Sequence, residues 1–293
     1  MQNMVRKFLL LAVATIVVAC GPSSAGAPPS PAVPNEGPIN PVPPISKPGS
    51  WILQPAIIDH SYLSISNTTL ELIDSSRILR DTLITRAEFR MSASRDTRGA
   101  IISATIDAFS LHAGARTGFP EKASSLPFSI TGRFQNNRLV FSQGNSQPVN
   151  TACADPTSSA FSIIQRSVVV SPLELHTGMT WTDSVSAELC SGEVPITLVT
   201  TRNYRVLGES LVRSVPVILL EKHERMHSTG EGSSGQHRIT LHTEGAGSGQ
   251  LAIERLTGFL VDDLSTYTAT VTVRSSGRDQ RFTQVVSEHI TLK

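Results

Sequence analysis

The chain has 293 residues, 39% hydrophobic and 17% charged, with 25 Lys and Arg against 24 Asp and Glu. That balance suits a globular protein with one sizeable core or two modest ones, and it excludes a disordered chain. A formal charge of +1 with 5% aromatic residues offers neither a basic footprint nor stacking platforms, so no nucleic-acid partner is expected.

Arg6 and Lys7 precede a 12-residue apolar segment, Phe8 to Ala19, which ends Val17-Val18-Ala19-Cys20. A helix of that length spans about 18 Å, and a bilayer needs roughly 20 residues, so residues 1–19 read as a signal peptide. The small Ala19 before Cys20, after two branched aliphatics, resembles the lipobox of bacterial lipoprotein precursors. The resemblance implies that Cys20 becomes the diacylated first residue of the mature chain, since a thiol is needed there to form the thioether to lipid. Lipid on Cys20 makes the membrane a partner, each buried CH₂ contributing about 0.8 kcal/mol. Gly21, where an Asp would imply inner-membrane retention under the enterobacterial sorting rule, points to the outer membrane. Loss of Arg6 and Lys7 leaves a formal charge of 1 − 2 = −1.

Residues 21–49 hold ten of the 18 prolines and almost no charge. Such a stretch cannot bury enough apolar surface to offset its chain entropy, so residues 20–49 read as a tether behind the lipidated cysteine. In polyproline II geometry, at about 3.1 Å per residue, it reaches up to about 90 Å.

From Ser50 onward the hydrophobic period is two. Leu83, Thr85, Ala87, Phe89, Met91 and Ala93 alternate with Ile84, Arg86, Glu88, Arg90 and Ser92, the pattern of a half-buried antiparallel strand. Tyr267, Ala269, Val271 and Val273 alternate with four threonines, and Phe282, Val286 and Ile290 repeat the pattern near the carboxyl end. Phe128, Ile130 and Phe134, then Leu139 and Phe141, flank Asn136-Asn137, whose tolerance of positive φ predicts a hairpin. Further strands are expected near 60–66, 101–111, 180–189, 194–207, 215–227, 236–243 and 249–255.

One helix is predicted near 155–168. Asp155 can cap it, Pro156 suits its first position, and Ala160, Phe161, Ile164 and Val168 share a side before Pro172. Its poor intrinsic propensity requires packing against a sheet. Cys153 and Cys190 remain once Cys20 is assigned to lipid, and in an exported domain they are expected to form a disulfide. The expected organisation is a first β unit over 50–150, a helical connection over 151–172 and a second β unit over 173–293, with 50–293 as one compact folded region. The fold class is mainly β: antiparallel meander sheets, as a curved half-barrel or sandwich, with one short helix. Around Gly178-Met-Thr-Trp181-Thr-Asp183, Cys190 and Tyr204-Arg-Val-Leu-Gly208, the chain resembles β-rich bacterial envelope lipoproteins with no assigned activity. In shape, long strands with one packed helix also resemble the half-open barrels of periplasmic lipoprotein carriers.

Two motifs look catalytic. His223-Glu224-Arg225-Met226-His227 matches H-E-x-x-H, which in a helix brings two imidazoles to one zinc ion with the Glu as base. The preceding run, Val215 to Leu220, is β-branched and carries Pro216, and Gly230 and Gly232 follow, so the context is a strand entering a loop. In a strand His223 and His227 stand about 13 Å apart and Glu224 points to the opposite face. Ser233 also occupies the third-ligand position of the extended motif, leaving Glu244 or Glu254 as the acidic alternatives. Gly230 to Gly235 matches G-x-G-x-x-G, but a strand follows it, so a hairpin loop is expected. Gly245-Ala-Gly247-Ser-Gly249 reads as a turn or bulge, Asp262-Asp263 as a solvated bend, and Trp51 and Trp181 as packing residues.

The sequence therefore leads to a lipid-anchored envelope protein, outer-membrane attached and facing the periplasm or surface, that binds or scaffolds without catalysis. No cofactor is expected, and the partner would be another envelope protein. The alternatives are a carrier enclosing an apolar ligand in a curved sheet, and a zinc hydrolase built on His223, Glu224 and His227.

Overall fold

The computed structural model describes residues 49–54, 57–74, 77–96, 99–113, 128–135, 138–143, 163–164, 166–191, 194–234 and 237–293. In chain order the strands are β1 (Ser50–Ile52), β2 (Ile57–Asp74), β3 (Arg77–Asp96), β4 (Gly99–Ala113), β5 (Phe128–Gln135), β6 (Arg138–Gln143), β7 (Glu174–His176), β8 (Thr180–Ser191), β9 (Val194–Val212), β10 (Val215–Ser234), β11 (His237–Glu254), β12 (Leu260–Ser275) and β13 (Arg278–Leu292). The chain is mainly β and almost wholly an antiparallel meander, as the period-two pattern implies.

The sheet is curved, as expected, and its strands go on to close. Eleven strands close on themselves in the order β10-β11-β12-β13-β2-β3-β4-β5-β6-β8-β9, so both expected β units belong to one wall. The remaining pair, β1 with β7, makes a small separate sheet. The Asn136-Asn137 hairpin joins β5 to β6 as expected. Two other connections are two-residue turns with positive φ, Arg213-Ser214 and Ser276-Gly277, whose twist suits tight hairpins.

One pair is parallel, β6 with β8. Parallel neighbours require the chain to return to its starting end, and the described part of that connection, from Ile163 onward, packs into the core. Ile163, Ile164, Arg166 and Ser167 are helical, and Ile163, Ile164 and Val168 belong to the same apolar core as the inward residues of the wall. The helical residues thus lie inside a barrel rather than against an open sheet, and Ala160, Phe161 and Cys153 fall outside the described residues. Trp181 Nε1–H donates to the Val170 carbonyl at 2.9 Å, holding the exit of this central segment to the wall.

Alternation sorts the wall into two faces. Inward residues of β3 are Leu83, Ala87, Phe89, Met91 and Ala93, all buried, and its outward residues include Arg86 and Arg90. On β12, Tyr267, Ala269, Val271 and Val273 point in, while Thr266, Thr268 and Thr270 are exposed. A bilayer-spanning barrel carries an apolar band outside; here the outward face of these strands is rich in charged and hydroxyl residues and the inward face is mainly apolar.

Gly245 to Gly249 is continuous strand, not a turn: each residue pairs on both sides, with β10 and with β12. Its glycines take inward positions where neighbouring strands crowd together. A Cβ on Gly247 would lie 2.5 Å from Tyr267 Cβ and 2.7 Å from the Thr266 carbonyl oxygen, so the absent side chain permits the close approach of β12 there. Likewise β10 extends through Gly230 and Gly232 to Ser234, and the hairpin connection is confined to 235–236.

Candidate functional site

The inward phase of five wall strands carries charge at mid-height. Asp183 of β8 lies opposite Arg202 of β9, and Arg202 lies opposite Glu224 of β10. One step along, Lys222 of β10 and Ser265 of β12 flank Gly249 of β11, and Ser265 lies opposite Glu288 of β13. Asp183, Arg202, Lys222, Glu224, Asp263 and Glu288 are all buried. Layers of Ile, Leu, Val and Phe close the barrel above and below this belt.

Within the belt the charges pair. Arg202 donates from Nε and Nη2 to the two Asp183 oxygens, both at 2.7 Å. Tyr204 O–H donates to Asp183 Oδ2 at 3.4 Å while its ring stacks on Trp181, centroids 4.9 Å apart. Lys222 Nζ donates to Asp263 Oδ2 at 2.9 Å, and Ser265 donates to the other Asp263 oxygen. Glu288 receives Ser64 from β2 at 3.4 Å. Arg166, from the central segment, places Nε 3.0 Å from Glu288 Oε2 as an ion pair, and that nitrogen makes no hydrogen bond. Its Nη1 donates to Tyr267 O–H at 2.7 Å, with the guanidinium 5.6 Å from that ring's centre.

Four carboxylates (Asp183, Glu224, Asp263, Glu288) thus face three cations (Arg166, Arg202, Lys222). Glu224 is the odd member: Oε2 makes no hydrogen bond within the protein, and Lys222 Nζ stands 3.9 Å away. Burial pushes the Glu288 carboxyl above its ordinary range, against the opposing pull of Arg166. Burial likewise raises the Tyr204 and Tyr267 hydroxyls, keeping both protonated. Chemically, the belt ties the central segment to β12 and β13 and locks neighbouring wall strands in register.

Residues 220–230 are extended throughout. His223 and His227 project outward into solvent and Glu224 projects into the belt, so the wall separates the three residues of H-E-x-x-H. Glu244 stands outside opposite His227, and its carboxylate is 3.2 Å from His242. Among the described residues, no three His, Cys, Asp or Glu side chains converge as a metal site. Asp262 and Asp263 do point to opposite sides, but not in a solvated bend: both lie in β12, and Asp263 is the buried partner of Lys222. Trp51 and Trp181 pack as expected, with Trp51 Nε1–H donating to Glu209 at 3.2 Å. Cys20 and Cys153 lie outside the described residues. Cys190 is in β8, opposite Pro195, but its side chain also lies outside them.

The belt escaped the sequence reading, although a signal was present. Lys222 and Glu224 share the phase of Ile218 and Leu220, and Glu288 shares that of Phe282, Val286 and Ile290. Charges on the apolar phase of a strand mark buried pairs when several strands show them at the same height.

No family model and no curated protein matches the chain. Solved structures similar to it include an outer membrane channel from Pseudomonas putida F1, at 6% identity and TM-score 0.24 over 84% of this chain and 99% of that one. Another is OccK2 (OpdF) of Pseudomonas aeruginosa, at 6% identity and TM-score 0.19 over 83% of this chain and all of that one. A DUF1329 family protein from Desulfovibrio piger matches at 9% identity and TM-score 0.17 over 80% and 86%. Likeness at that level carries nothing about location or activity.

Proposed function

We propose that this chain is an envelope lipoprotein, held to the outer membrane by acyl chains on Cys20, that works by binding or scaffolding rather than by catalysis. The observation that carries this reading is the polarity of the wall. An outward face of Arg, Glu, Ser and Thr belongs in water, so a barrel of this kind needs a separate anchor to stay at a membrane, and the signal segment ending at Cys20 supplies one. The inside supports the same reading. Ile163, Ile164 and Val168 occupy the space that an enclosed apolar ligand would need, which directs contacts to the outer surfaces and rims, where sheet faces dock protein partners. A Cys153–Cys190 disulfide would tie the stretch before the central segment to β8.

Radiolabelled palmitate tests the anchor: label on the wild type that disappears in Cys20→Ala is expected, and an unlabelled wild type overturns it. Crosslinking in cells tests the binding role, with an envelope protein expected on the outer wall. Stoichiometric lipid co-purifying with the folded, delipidated barrel would point instead to a carrier.

A further inference from the structure

The two rims of the barrel differ. Strand directions place at one rim the Arg213-Ser214 turn, the connection 255–259 between β11 and β12, the starts of β2 and β4, and the end of β13. The small sheet lies against the same rim: Leu53 N–H donates to the Leu173 carbonyl and Gln54 N–H to the Leu256 carbonyl, both at 2.7 Å. Six large apolar side chains are exposed among the described residues, and five of them are here: Ile52, Ile57 at 86%, Ile101, Leu211 at 63% and Leu256. Val285, the sixth, is on the wall.

These five form two linked groups. Leu211 pairs with Pro216, whose carbonyl accepts Arg255 N–H at 3.1 Å; Leu256 follows, and its bond to Gln54 brings Ile52 alongside. Ile57 and Ile101 flank Ser94 on neighbouring strands. Clustered apolar exposure on one end of an otherwise polar barrel marks a contact surface. The position of the tether says which one. Residues 21–48 join the folded body through Gly49, whose carbonyl accepts Thr177 N–H at 3.0 Å beside β1, so the chain from Cys20 arrives at this rim.

We propose that this rim rests on the lipid surface, with Ile52, Ile57, Ile101, Leu211 and Leu256 entering the interface and Arg213 and Arg255 level with the headgroup phosphates. The inference takes its orientation from the proposed Cys20 anchor, but the rim's affinity for lipid is a property of its own. It places the opposite rim, with the Ser276-Gly277 turn, away from the membrane and open to partners.

Hydrogen exchange of the full chain purified from membranes, with and without vesicles of phosphatidylethanolamine and phosphatidylglycerol, tests it. Intact mass of the same sample reports acylation of Cys20. Expected is slowing of about fivefold or more at 211–216 and 254–259 on vesicles, with 275–278 unchanged. In a full-length Cys20→Ala chain, Leu211→Ser with Leu256→Ser is expected to weaken vesicle binding about tenfold, the scale set by the apolar area involved. Both sites are exposed, so the fold is retained. An acylated sample whose rim exchanges equally fast on vesicles overturns the rim contact and leaves the anchor standing. A sample without acyl chains overturns the anchor, and exchange at 211–216 and 254–259 on vesicles still decides the rim. Equal slowing at both rims, or slowing only when envelope proteins replace vesicles, also overturns the proposal.

Discussion

Asp183 and Arg202 face each other across β8 and β9 inside the barrel, joined by two parallel hydrogen bonds of 2.7 Å. Their side chains are 4% and 2% exposed, so water takes almost no part in compensating either charge. Removing Arg202 leaves the Asp183 carboxylate buried without its two-bond counter-charge. Arg202→Met is therefore expected to destabilise the fold by about 3–5 kcal/mol. Arg202→Met with Asp183→Leu, which discards both charges, is expected to recover most of that loss. Urea denaturation of the two variants checks the pair, and equal losses would show that shape rather than charge compensation governs this site.

The Glu288 carboxyl lies above its ordinary range because burial outweighs the pull of Arg166. The folded protein then holds this proton more tightly than the unfolded chain. The resulting stabilisation is complete below the unfolded value near 4.5 and is lost as pH rises through the higher folded value. Glu288→Gln, which cannot titrate, should flatten the fall of the urea midpoint with rising pH above 4.5. An unchanged slope in the variant would assign the dependence elsewhere.

His289 works in the same direction in a higher window. Its Nε2 lies 2.9 Å from Asp262 Oδ1, and that hydrogen bond raises the imidazole above its usual range despite partial burial. Its contribution is full below the unfolded value near 6.5 and is lost as pH rises through the folded one. Titration of the His289 ring by NMR should show the raised midpoint, and Asp262→Asn should return it toward the ordinary value.

Gly247 faces inward where β11 and β12 close together, and an added Cβ would meet Tyr267 Cβ at 2.5 Å with backbone beside it. Gly247→Ala is expected to cost about 3 kcal/mol, the upper part of the usual range for overpacking. Ala246→Ser, at the exposed neighbouring position, should change the midpoint by less than about 0.5 kcal/mol. Thermal melts of both variants separate crowding from a general intolerance of this strand.

His223→Ala and His227→Ala should each leave stability within about 0.5 kcal/mol of the wild type, because both rings lie in solvent on the outer wall. Zinc bound stoichiometrically to the purified domain and lost in His223→Ala would contradict the extended geometry of β10.

The strands of this protein were legible because their evidence is local. Leu83 to Ala93 and Thr266 to Val273 alternate in step with the pleat, and the extended state of residues up to His227 followed from the β-branched residues and proline before them, although the strand runs on to Ser234 where a loop was expected. The glycines at 245–249 misled for the opposite reason. In isolation they suggest a turn, and only the approach of Tyr267 and Ala269 from β12 explains why side-chain-free strand is needed there.

The belt lies between those cases. Alternation states that Lys222, Glu224 and Ile218 share a face, but a charge on that face finds its partner on another strand, forty or more residues away for Lys222 and Asp263. Asp262-Asp263 read as a solvated bend because nothing nearby in sequence neutralises either carboxylate, whereas the partner of Asp263 is Lys222 on another strand. What the amino-acid order determined alone is the period of two, the hairpin at Asn136-Asn137 and the phase of each strand, all set by contacts within a few residues. Closure of the wall, burial of Ile163, Ile164 and Val168 within it and the pairing of its buried charges depend on which distant strands meet. Only the assembled barrel decides that, since a buried charge is stable only where its counter-charge is brought to it.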